Sequence, residues 1–123
     1  MNDELPHSWT GGARVGLWNY TIPCARLSVQ RNRLFLHIDT EKIFGIKLLR
    51  FLGVGPRDFS FGPAEVSGIE AVGRIPVLST GVRIHHTIPE YPRKVIFWCG
   101  GLRNDAEKIV DLVIAQGFNT YSV

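Results

Sequence analysis

The sequence predicts a mainly β domain closed by one C-terminal helix. Three observations carry this reading. Short apolar runs alternate with polar residues at a period of two. Thirteen glycines and seven prolines punctuate the chain, as tight turns between short strands require. A helical period with start and stop signals occurs near the end of the chain. At 123 residues the length fits one domain able to bury roughly two-thirds of the surface its unfolded chain exposes.

Taken in order, residues 1–12 end in Thr10-Gly11-Gly12 and read as a loose polar lead-in, with order expected from Ala13. Between Arg14 and Gln30 the chain is rich in β-branched and aromatic residues, and Ala25, Leu27 and Val29 alternate with Arg26 and Ser28. Pro23 lacks a donor for a ladder and marks a bend, an edge or a bulge. Arg31-Asn32-Arg33 forms the turn of a hairpin, after which Leu34, Leu36 and Ile38 resume the alternation against Phe35 and His37.

Glu41 to Val54 fits neither a clean period of two nor a clean helical stripe, and its secondary structure stays open. Asp58 to Phe61 reads as a short strand ended by Gly62-Pro63, and Glu65 to Val72 and Val82 to Ile88 are further strands. Pro89 and Pro92 flank an expected exposed loop before the β-prone run Lys94 to Cys99. In the last segment Asn104 and Glu107 have the spacing of a capping box. Ala106, Ile109, Val110 and Val113 share one helical face, Gly117 suits the left-handed stop, and Phe118 folds back on the last turn. The expected division is a lead-in over 1–12, one domain over 13–118 and a tail over 119–123.

The hairpin ARLSVQRNRLFLHI, the segments FSFGPAEVSGIEAV, GVRIHHTI and KVIFWC, and the final NDAEKIVDLVIAQGF together resemble the pleckstrin-homology-like superfold, in particular its small bacterial and GRAM-like members. The resemblance runs from about Ala13 to Phe118 and rests on patterns, with no diagnostic motif. It implies a strongly bent antiparallel sheet, or partly open barrel, of about seven strands whose open end the helix plugs. For function it implies binding of phosphoinositides, peptides or other proteins, or a scaffold role, because domains of this fold differ in what they bind. The basic signature that lipid-binding members carry between their first two strands is echoed only by Arg26, Arg31 and Arg33.

Composition narrows the partners. A net charge of +3 and a pI of about 9.1 favour anions slightly. The basic residues are scattered, without the dense runs of a nucleic-acid groove, which argues against nucleic acid. Lys47 and Arg50 interrupt the most apolar segment, so no transmembrane span is expected. Met1 to Pro6 lacks the basic start and apolar core of a secretory signal, so the expected location is cytoplasmic, peripheral to the membrane if lipid is the target. Cys24 and Cys99 read as two thiols of a reduced compartment, with a single disulfide as the alternative.

Chemistry-bearing residues are few. His85 and His86 are adjacent on a strand and point to opposite faces, His86 with Val82 and Ile84, so they do not converge on one metal. Cys99 precedes Gly100-Gly101 and a helix, a setting that lowers a thiol pKa only if the sulfur reaches the helix N-terminus, and Asp105 and Glu107 oppose a thiolate there. No Cys-x-x-Cys, His-Glu-x-x-His or acidic calcium loop occurs.

The sequence thus points to a non-catalytic interaction domain, without cofactor or metal, that binds a protein partner, a second copy of itself or an anionic membrane surface, with protein favoured. Candidate contact residues are Lys42, Phe44, Lys47, Arg50 and Phe51 in the Glu41 to Val54 segment, where cations flank apolar side chains. Arg26, Arg31 and Arg33 complete the set. The competing readings are a small β-barrel carrier of an apolar ligand, which needs an empty cavity, and a small enzyme using Cys99 with a histidine.

Overall fold

The computed structural model describes residues 7–16, 18–39, 57–74, 79–99 and 103–121. Strands β1 (His7–Val15), β2 (Trp18–Gln30), β3 (Arg33–Ile38) and β4 (Arg57–Phe61) are followed by a 3-10 turn (Pro63–Glu65). Strands β5 (Val66–Arg74), β6 (Ser79–His86) and β7 (Val95–Trp98) and the helix α1 (Arg103–Ala115) complete the order. All seven strands belong to one antiparallel sheet in the order β4-β3-β2-β1-β7-β6-β5. Strands β1 to β4 and β5 to β7 are two meanders of paired sequence neighbours, joined where β1 pairs with β7, so the sheet would be a closed barrel if β4 met β5. Those two strands do not pair, and the sheet stays open at that seam.

The period of two places the core. On β3, Leu34, Leu36 and Ile38 are buried while Arg33 and His37 are exposed. Across β2 and β4 the same inner face continues through Ala25, Leu27, Val29, Phe59 and Phe61, and in the second half of the sheet through Ile69, Val82, Ile84 and Phe97. Each large side chain fully buried there contributes about 1.5–3 kcal/mol. Helix α1 lays Ala106, Ile109, Val110 and Val113 into this core against β5 and β6, with Asp105, Glu107, Lys108 and Asp111 exposed.

The stop expected after the helix is present. Gly117 has φ +100°, its N–H donates to the Ile114 carbonyl at 3.0 Å, and Phe118 is buried. Helix α1 begins at Arg103, one residue ahead of Asn104, so Asn104 stands in the first turn and not at the cap. The hairpin turn is the two residues Arg31-Asn32 between the paired Gln30 and Arg33, with Asn32 at φ 58°. Opposite Gly12 the register jumps from Gly11↔Ala25 to Ala13↔Tyr20, and the extra residues of β2 include Pro23.

Three elements differ from the expectation. Strand β1 opens at His7, inside the stretch read as a lead-in. Gly11 serves packing: a Cβ there would fall 2.1 Å from the Trp98 carbonyl oxygen, so only a bare backbone fits where β1 crosses to β7. The segment between Pro89 and Pro92 is not simply exposed, because Tyr91 folds down onto the core. The tail is also engaged, as Thr120 forms a parallel bridge with Ile69. The Glu41 to Val54 segment, with Lys42, Phe44, Lys47, Arg50 and Phe51, lies outside the described residues.

Candidate functional site

Cys99, Cys24 and His86 are packed into the fold in different ways. The Cys99 thiol is pushed up to about 11, first by burial and then by the negative charge of Asp105, which outweigh hydrogen bonds from its own backbone and from Thr80. It is therefore a neutral thiol at physiological pH, a poor nucleophile. Cys24 is buried, and neither cysteine is in a disulfide. His86 points inward, as its strand position requires: Nδ1 accepts the Ile88 N–H at 3.0 Å and Nε2–H donates to the Pro92 carbonyl at 2.7 Å. With both ring nitrogens engaged by backbone, His86 braces the loop after β6. Among the described residues no group of three or more His, Cys, Asp or Glu side chains converges as a metal site.

Of the predicted basic residues, the three described ones, Arg26, Arg31 and Arg33, do not converge on a pocket. Arg26 donates to Ser8 Oγ at 3.1 Å on the outer face, and Arg33 is 3.4 Å from Glu65 in an exposed ion pair. Arg31 is exposed in the turn. Arg26 sits across from His37, four residues along β3 from Arg33, which separates the two backbones by about 13 Å. His37 is itself paired with Asp58.

The described inner face is filled by side chains at or near zero exposure. A cleft of about 320 Å³ lies on the loop after β6, lined by His86, Thr87, Ile88, Pro89, Tyr91 and Arg93. Thr87, Pro89 and Arg93 are exposed, so this cleft faces solvent and is not a barrel cavity.

The remaining feature is the β5 edge. Ile69 N–H donates to the Asn119 carbonyl at 2.9 Å, and Tyr121 N–H donates to the Ile69 carbonyl at 3.0 Å, so Asn119–Tyr121 lies along β5 as a short added strand. Gly68 permits this approach: a Cβ there would sit 2.5 Å from Tyr121 Cα. The Tyr121 ring stacks on His85 with centroids 3.8 Å apart and planes 8° from parallel. His85 Nε2–H donates to Glu70 Oε2 at 2.6 Å, which fixes the imidazole under the phenol ring. Ala71 and Gly73 turn their backbone groups to the same edge by the two-residue period, beyond the described tail. Across from Glu70, Arg83 has a buried Nε without a hydrogen-bond partner among the described residues, and nothing in the structure explains it.

Sequence reasoning singled out His85 but missed Glu70, Gly68 and Tyr121 as its company. These residues meet only through the β5–β6 register, which shifts between Val66 and Gly68 and so sets Gly68 across from His85. No helix among the described residues is long and apolar enough to cross a membrane. Comparison with protein-family models, curated proteins and solved structures returns no match.

Proposed function

We propose that the chain is a non-catalytic interaction domain with a pleckstrin-homology-like fold, and that it binds a protein partner by strand addition at the β5 edge. The observation that carries this reading is the tail itself: both backbone groups of Ile69 are bonded by an extended segment. That edge is thus shaped to take another strand. An open seven-stranded antiparallel sheet with a helix across β5 and β6 supports the fold reading over a closed barrel. The separation of Arg26 from Arg33, and the engagement of Arg33 by Glu65, favour protein over an anionic lipid headgroup. The filled inner face and the neutral Cys99 thiol count against the carrier and enzyme alternatives.

The test is co-sedimentation with neutral and anionic vesicles at low and physiological salt, run beside an NMR titration of the full-length chain carrying Tyr121→Ala with the synthetic peptide GFNTYSV (residues 117–123). The reading expects the protein to stay in the supernatant and the Ile69 and Ala71 amides to shift saturably. Salt-sensitive binding to anionic vesicles, lost in Lys47→Glu/Arg50→Glu, with unmoved β5 amides would replace it with membrane recognition.

A further inference from the structure

The tail does more than pair its backbone. Its one ring, Tyr121, is 36% exposed and lies face to face on an imidazole that Glu70 holds in place. A platform built this way rewards a flat ring and gives an aliphatic or small side chain much less contact. Gly68 beneath it sets a second requirement, because the docked residue's Cα presses where any side chain on β5 would stand. Among the described residues, two backbone hydrogen bonds and one ring stack secure Asn119–Tyr121, which follow the left-handed Gly117.

We infer that the β5 edge selects an extended segment running parallel to β5 with an aromatic residue stacked on His85, and that Asn119–Tyr121 is the built-in competitor for that segment. This rests on the strand-addition reading and names the chemistry of its partner. The partner's ring displaces Tyr121 from His85, and its backbone takes over the two hydrogen bonds of Ile69.

The test uses the 15N-labelled full-length chain as wild type, as Tyr121→Ala and as His85→Ala/Tyr121→Ala. Each is titrated with GFNTYSV and with the same peptide carrying alanine in place of its tyrosine, with the Ile69 amide as readout. Tyr121→Ala is expected to bind the tyrosine peptide about 3- to 10-fold more tightly than the alanine peptide, the range an aromatic ring pair confers. The double variant is expected to bind both peptides equally, and wild type to bind the tyrosine peptide at least about 3-fold more weakly than Tyr121→Ala does. Equal affinities of Tyr121→Ala for the two peptides overturn the aromatic selection and leave strand addition standing. Equal affinities of wild type and Tyr121→Ala for the tyrosine peptide overturn the competition. No shift with either peptide overturns strand addition as well.

Discussion

The two edges at the seam are closed by different means. On β4 the seal is a side chain: the Tyr91 hydroxyl accepts the Ser60 N–H at 3.1 Å and donates to the Ser60 carbonyl at 3.5 Å. Its ring is wedged edge-on against Phe59 and Phe61, with centroids at 4.9 and 5.5 Å. On β5 the seal is backbone, supplied by Asn119–Tyr121. A hydroxyl anchored by core aromatics satisfies both backbone groups of one edge residue, Ser60. A short added strand satisfies its edge in the way any other strand can, so it is replaceable. The difference teaches that an edge can be satisfied by a side chain or by backbone, and the strand-addition reading rests on the second kind.

Three measurements break or sharpen that contrast. The largest effect is expected from Gly68→Val, whose side chain occupies the place of Tyr121 Cα. It should release the tail while valine still suits the β5–β6 ladder, costing about 1–3 kcal/mol for the two hydrogen bonds and raising the exchange rate of the Ile69 amide. Unchanged Ile69 protection would mean that the tail is not what shields the edge. Tyr91→Phe keeps the ring on Phe59 and Phe61 and removes only the hydroxyl, so about 1 kcal/mol should be lost in urea unfolding, with faster exchange confined to Ser60. If exchange at Ile69 rose as well, the two seals would be one coupled device and not two.

The smallest effect concerns Cys99 at the end of β7. Its thiol stands at about 11 in the folded chain against an ordinary 9.0. The contribution is therefore fully present below pH 9.0 and is lost as pH rises through about 11. Cys99→Ser should flatten this alkaline slope, and iodoacetamide should modify the native thiol slowly until the pH approaches that range. Rapid alkylation at pH 7 would return the thiol to consideration as a reactive group.

Much of the fold was legible because its signals are local. Leu34, Leu36 and Ile38 announce their strand by alternation alone, Arg31-Asn32 sits between two such runs, and Gly117-Phe118 carries its own stop. The misreadings arose where the cause lies elsewhere in the chain. Gly11-Gly12 resembles a loop until Trp98 stands against it, and Tyr91 resembles a loop tip until Ser60 claims its hydroxyl. The candidate site was legible only in His85. Glu70 and Tyr121 join it through a strand register and a chain reversal that no local period encodes.

The pairing of β1 with β7 also governs how the protein is made. Strand β1 finds its first neighbour at once in β2, but its second, through Gly12↔Trp98 to Val15↔Val95, comes from the far end of the sheet. During synthesis, β1 to β4 can form a meander while the outer side of β1 waits for β7 to leave the ribosome. Such distant pairing slows folding and leaves an edge exposed in the nascent chain. Until Val95–Trp98 arrives, the outer side of β1 therefore stands as an unpaired edge in the nascent chain.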